Sequence, residues 1–176
     1  MPIEKRLMNP ADAEALSRFY LENAAHLERW VPSRDPDYHA IDTWRERLVL
    51  IEDSHARGAE AHFIAWCTEE GVVVATCSLT NIVLGPFQAC NLGYAVAKSH
   101  EGQGHMKRLC RHVIDYAFTG LGLNRVMANY MPANTRSGAL LESLGFSREG
   151  LARNYLQING RWEDHVLTSL LNPNSR

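Results

Sequence analysis

The chain has no run approaching the roughly 20 consecutive apolar residues of a membrane-spanning helix, so no membrane partner is expected. Its opening, "MPIEKRLMNPADAEAL", lacks the apolar core of a secretory signal. The four cysteines, at 67, 77, 90 and 110, form no C-x-x-C pair, which argues against a zinc knuckle and a redox motif. Three of them lie in apolar, strand-like text, where a free thiol behaves as a small hydrophobe, as in a reduced cytoplasmic protein. A net charge of -2 supplies no field for non-specific nucleic-acid binding, so no direct nucleic-acid partner is expected. No G-x-x-x-x-G-K-[ST] loop is present, and the third glycine of a dinucleotide-binding fingerprint is missing.

What is there fits one soluble α/β domain spanning residues 1–176, with 45% apolar and 22% charged residues. "NPADAEALSRFYLENAAHLERW" offers Asn9 as a cap, a proline at the first helical position, and apolar Ala15, Leu16, Phe19 and Tyr20 at helical spacing. That helix should end near Trp30, before the polar loop "PSRDPDYH". A second helix is predicted from about Ile41 to Ala56, with Trp44, Leu48 and Ile51 on one face and Gly58 at its end. "HFIAWCT" and "VVVATCSL" read as a hairpin joined by "EEG", and "QACNLGYAVAK" reads as a third strand. Helical spacing returns from His105 to Phe118 through Met106, Leu109, Val113 and Ala117. The strand "RVMANYM" leads to a short helix stopped by Gly145, and "SREGLARNYLQI", "NG" and "RWEDHVLTSLL" form a closing hairpin. The order is helix, helix, three strands, helix, strand, helix, two strands, which implies a two- or three-layer α/β domain.

The densest chemistry lies in "SHEGQGHMKR", residues 99–108. As a metal site it fails. The spacing is H-E-x-x-x-H rather than H-E-x-x-H, and Gly102 and Gly104 disfavour the helix that would bring the histidines together. No metal is expected. As a loop between a strand end at Ala97-Lys98 and a helix start at His105, it suits phosphate binding. Gly102, Gln103, Gly104, His105 and Met106 would donate backbone N–H groups to a pyrophosphate at a helix N-terminus. Taken alone, G-x-G also fits a plain turn leading into a helix.

Several motifs in order narrow the choice. "NLGYAVAKSHEGQGHMKRL", "RVMANYMPANTRSGALLESLGFSREG" and "NGRWEDHVLTSLL" resemble the GNAT superfamily of N-acetyltransferases, in particular its Rim-type branch. "FYLENAAHLERWVP" carries the same resemblance, which covers nearly the whole chain with a shortened first strand. The fold implied is a single domain with a central mixed, splayed β-sheet flanked by helices. The family loop reads [QR]-x-x-G-x-[GA]; here Ser99 stands in the place of the Gln or Arg, and both glycines are present. The resemblance implies acetyl-CoA as co-substrate, its pantetheine arm pairing with backbone groups of Tyr94, Ala95 and Val96 where two strands part.

Asn134 and Ser137 match the family's N-x-x-S pattern. The resemblance gives Asn134 a hydrogen bond to pantetheine and Ser137 one to the departing thiolate. Read as local structure, the same two residues form a helix N-cap. Tyr155, in "RNYLQI", stands where relatives carry a tyrosine general acid, and it equally suits a strand wall; Tyr130 has the same two readings. Glu101, Glu149 and Asp164 are the available carboxylate bases, and Asp164-His165 is either a catalytic pair or a pin for the hairpin. Within the Rim-type branch the implied acceptor is the N-terminal alanine of small-subunit ribosomal protein S5, with the ribosome as a further partner. The rival readings are a small-amine (drug or polyamine) acetyltransferase and a non-catalytic ribosome-assembly protein.

Overall fold

The computed structural model describes residues 2–175. A seven-stranded sheet runs through them in the order β1-β2-β3-β4-β5-β7-β6. The strands are β1 (Ile3–Leu7), β2 (Ala61–Cys67), β3 (Val72–Val83), β4 (Ala89–Val96), β5 (Arg125–Tyr130), β6 (Ser147–Ile158) and β7 (Arg161–Leu171). All neighbours pair antiparallel except β4 and β5, which are parallel. Helices α1 (Ala13–Glu22), α2 (Ala24–Leu27), α3 (Ile41–Ala56), α4 (His105–Asp115) and α5 (Thr135–Ser143) complete the fold.

Strand alternation sends side chains to opposite faces and divides the core in two. On one face Phe63, Val74, Cys77, Cys90, Leu92 and Val126 pack with Leu109, Val113 and Ala117 of the α4 segment and Leu141 of α5. On the other, Ile64, Val73 and Ala97 pack with Leu16 and Phe19 of α1 and Trp44 and Leu48 of α3. All four cysteines are buried and free, so they serve as small core residues.

The element reading differs from the structure in three places. The pattern order contains no opening strand, yet Ile3–Leu7 pairs along the edge of β2. Its mixed burial leaves too weak an alternation to read. The first helix does not run unbroken to Trp30. It stops at Asn23, whose Nδ2 donates to the Phe19 carbonyl at 2.8 Å, and resumes as α2 and a 3₁₀ turn. The helix after the glycine loop is α-helical only to Asp115 and closes with a π turn over Tyr116–Gly120.

Elsewhere local chemistry set the boundaries. Asn9 and Asp12 form a reciprocal capping box around Pro10. Gly58, at φ +68°, ends α3 with its N–H on the His55 carbonyl. Asn159 and Gly160, at φ 46° and 77°, make the two-residue turn that fixes the β6–β7 register.

Candidate active site

The parallel pair at the middle of the sheet is short. β4 and β5 are in register only at Ala89–Arg125, Cys90–Val126 and Asn91–Met127, after which they part. β4 continues to Val96 along β3 alone. The direction of its backbone groups follows from one hydrogen bond, Ala97 N–H to the Val74 carbonyl at 2.9 Å. Alternation then turns the backbone N–H and C=O of Ala95 toward β3 as well, and those of Tyr94 and Val96 into the gap. Of the three residues expected to present backbone groups there, Ala95 is corrected: its own strand partner holds it.

Below the gap the chain makes a tight turn into α4. Gly102 and Gly104 sit at φ 72° and 75°, the left-handed region that a Cβ penalises. A Cβ on Gly102 would meet nothing within 4 Å, and Gly104 is the residue before the first helical turn. The first helical bond in this region runs from Arg108 N–H to the Gly104 carbonyl. Among the described residues, the N–H groups of 102–107 have no protein acceptor. Gln103, Gly104, His105 and Met106 therefore contribute consecutive free amides at a helix N-terminus, the donor set that fits a diphosphate.

Side chains brace this turn. Arg108 Nη2 donates to the Gln103 carbonyl and approaches His105 Nδ1, both at 3.0 Å. His105 is buried, and burial first, then the Arg108 charge, hold its pKa below the usual imidazole value. His105 is thus packed into the loop. Ser99 bonds His100 Nδ1 at 2.9 Å, and Lys98 N–H is held by Asn23 Oδ1 at 2.8 Å. The break in the first helix therefore places a side chain that anchors the start of the loop.

Across the gap, α5 begins at Asn134, whose Oδ1 accepts from Ser137 N–H at 3.2 Å. The cap reading of that pair is thus realised. Ser137 Oγ lies 2.6 Å from the Tyr94 hydroxyl, tying α5 to the free stretch of β4. Tyr130 packs against the same helix; a Cβ on Gly138 would meet its hydroxyl at 2.9 Å.

Tyr155 belongs to a different group. Its hydroxyl accepts from Asn129 Nδ2 at 3.1 Å, and its ring lies 5.4 Å from that of His165. Asn129 and Tyr130 are adjacent on β5, so Tyr155 faces the sheet surface opposite Tyr130 and α5. The structure does not bring Tyr155 together with Ser137.

Each of the three candidate carboxylates has a structural partner. Glu101 bridges Arg136 of α5 at 2.5 Å and His26 of α2 at 3.4 Å. Glu149 binds Arg125 and Ser169, which hold its pKa below the usual carboxylate value. Asp164 accepts from Asn154 N–H at 2.9 Å across the β6–β7 hairpin. Being adjacent on β7, Asp164 and His165 point to opposite faces and do not form a pair; Asp164 pins the hairpin, while His165 Nδ1 lies 3.1 Å from the Glu163 carbonyl of its own strand.

An edge opened between two parallel strands, with a free-amide turn beneath it, is the arrangement of an acetyl-CoA-dependent acyltransferase. The chain belongs to the GNAT acetyltransferases: the family model described as an acetyltransferase (GNAT) domain matches residues 5–147. It is 39% identical over 168 residues to the [ribosomal protein uS5]-alanine N-acetyltransferase of Escherichia coli (strain K12), covering 96% of this chain and 87% of that one. The crystal structure of ribosomal-protein-S5-alanine acetyltransferase from Vibrio fischeri superposes with a TM-score of 0.96 at 34% identity, over 99% of this chain and 95% of that one. RimJ from Mycobacterium smegmatis in complex with CoA-disulfide superposes with a TM-score of 0.90 at 31% identity, over 98% and 85% of the two chains.

Proposed function

We propose that this acetyltransferase acts on the N-terminal α-amino group of a ribosomal protein, with the alanine of an S5-type protein as acceptor. The reading rests on the match along 96% of the chain to an enzyme named for that reaction. The ribosome and a cytoplasmic location follow from that acceptor. Acetyl-CoA supplies the acyl group as a thioester; the chain's residues have to bind it, polarise it and receive the leaving sulfur.

Binding falls to Gly102, Gln103, Gly104, His105 and Met106, whose amides meet the diphosphate, and to the backbone of Tyr94 and Val96, which pairs with the pantetheine arm. Asn134 is assigned to the same arm while it caps α5. The Val96 N–H, directed into the gap, polarises the thioester carbonyl as charge builds on its oxygen. Ser137 donates a hydrogen bond to the departing thiolate. Tyr155, on the other sheet face with Asn129 and His165, does not reach Ser137, so the leaving sulfur is assigned to Ser137 and the strand-wall reading suits Tyr155 better than that of a general acid.

An α-amino group titrates at about 7.7–8.0, so a useful fraction is neutral near pH 7.5; a lysine at about 10.4 is mostly protonated there. No strong base is needed, which agrees with Glu101, Glu149 and Asp164 all holding structural partners. Alignment of the two reactants then supplies much of the acceleration.

The test is a competition assay. Purified protein receives acetyl-CoA with an alanine-initiated peptide and spermidine together, and products are read by mass spectrometry. Acetyl on the peptide α-amine supports the reading. Acetyl on spermidine alone transfers the assignment to small amines, and acetylation of neither supports the non-catalytic alternative.

A further inference from the structure

The contact between Tyr94 and Ser137 joins two residues to which the family resemblance gives separate tasks. It is short, at 2.6 Å. Tyr94 reaches it because alternation along β4 turns its side chain, with that of Val96, toward the face that α4 and α5 cover. Ser137 is presented by the first turn of α5, where its own N–H is held by Asn134. This is the only side-chain hydrogen bond of either hydroxyl among the described residues.

A serine hydroxyl carries one proton. If that proton went to Tyr94, nothing would remain for a departing sulfur. The phenol is the more acidic of the two hydroxyls and therefore the better donor, while the aliphatic oxygen is the better acceptor. The proton between them thus comes from Tyr94, and the Ser137 proton stays free.

We propose that Tyr94 is a positioning residue: its hydroxyl donates to Ser137 Oγ, locks that rotor, and aims the single Ser137 proton at the sulfur that leaves. This rests on the acetyl-transfer reading above and adds to it a role for the Tyr94 side chain. No proton leaves Tyr94. The amine nitrogen forms the new N–C bond to the acyl carbon, the C–S bond breaks with its electron pair on sulfur, Ser137 O–H hydrogen-bonds that thiolate, and the proton shed by the amine passes to solvent. Burial raises the phenol pKa, opposed in part by Ser137, so Tyr94 keeps its proton throughout the neutral range.

The experiment compares Tyr94→Phe, Ser137→Ala and the double variant with the intact enzyme. Ser137→Ala is expected to lower kcat roughly 100-fold, as for loss of one preorganised donor. Tyr94→Phe should lower kcat roughly tenfold, the scale of one net hydrogen bond, with KM for acetyl-CoA within about twofold of the original. The double variant should be no slower than Ser137→Ala, because Tyr94 acts only through Ser137. A fluorinated tyrosine at position 94 keeps the donor and should retain kcat.

A second readout does not depend on turnover. The thiol of bound coenzyme A, titrated by thiolate ultraviolet absorbance against the protein alone, should have its lowest pKa in the intact protein. It should be highest in Ser137→Ala and intermediate in Tyr94→Phe. Full kcat in Tyr94→Phe with an impaired Ser137→Ala overturns the Tyr94 role alone. Losses that multiply in the double variant also overturn it. An unimpaired Ser137→Ala overturns the Ser137 reading and the inference with it.

Discussion

Replacing Gly102 by alanine separates a phosphate cradle from a loop that merely leads into a helix. The residue is the fixed glycine of the family loop; it sits at φ +72°, and a Cβ there would meet no protein atom within 4 Å. The left-handed backbone costs an alanine about 1–2 kcal/mol of fold stability. Relief of that strain turns the neighbouring loop amides out of line. Gly58 provides the control: its φ is +68° and a Cβ meets nothing within 4 Å, at the far end of α3. Both variants should lose a similar 1–2 kcal/mol in urea denaturation. Only Gly102→Ala should lose affinity for acetyl-CoA by calorimetry. Misaligning two charge-assisted N–H donors at about 1.5 kcal/mol each amounts to about 3 kcal/mol, or roughly 100-fold in Kd. Equal affinity in Gly102→Ala and the intact protein would show that the amides at 102–107 do not hold the cofactor's diphosphate.

Two further perturbations test the frame around the site. Arg6 binds Asp12 through two bonds of 2.8 and 2.7 Å, and Asp12 is only 4% exposed, so Arg6→Met strands a buried carboxylate. A loss of about 3–5 kcal/mol in urea denaturation is expected, and a loss under 1 kcal/mol would refute the pairing argument. His39 stacks on Tyr20 at 4.5 Å, with Nδ1 buried and unpartnered; burial, helped by Arg47 and Arg34, depresses its pKa to about 4. The unfolded chain takes up that proton near 6.5 and the folded one only near 4, so stability falls as pH drops through that window. After discounting for solvent screening, the loss attributable to His39 is about 1–2 kcal/mol. His39→Phe should keep the stack and flatten that part of the acid limb; an unchanged limb would contradict the assignment. His105 and His112 are depressed in the same direction, so the comparison is between variants and not against a flat baseline.

How far the sequence could be read depended on the range of the forces involved. Helix α3 begins and ends at the residues the pattern indicates, because an apolar face and a C-terminal glycine act within a few turns. The closing hairpin matches from Ser147 to Leu171 for the same reason, its Asn-Gly turn fixing the register locally. The break at Asn23 was hidden, since that side chain is drawn into the Lys98 backbone from far along the chain. The parting of β4 from β5 was implied by family resemblance and not by periodicity: nothing in "NLGYAV" alone distinguishes a paired strand from a free edge. The same holds for Ala95, whose backbone direction is a matter of register with β3. The family motifs mark Tyr94 and Ser137 separately, but their hydroxyl contact depends on where α5 crosses the sheet.

The most direct test of the account is residue-resolved amide hydrogen exchange with and without acetyl-CoA. The amides of Tyr94 and Val96 and those of 102–107 should slow sharply on addition of the co-substrate, since they have no protein acceptor before it binds. The Ala95 amide, already bonded within the β3–β4 ladder, should change little. Protection confined to Ala95, or absent from both β4 and the glycine loop, would contradict the proposed site.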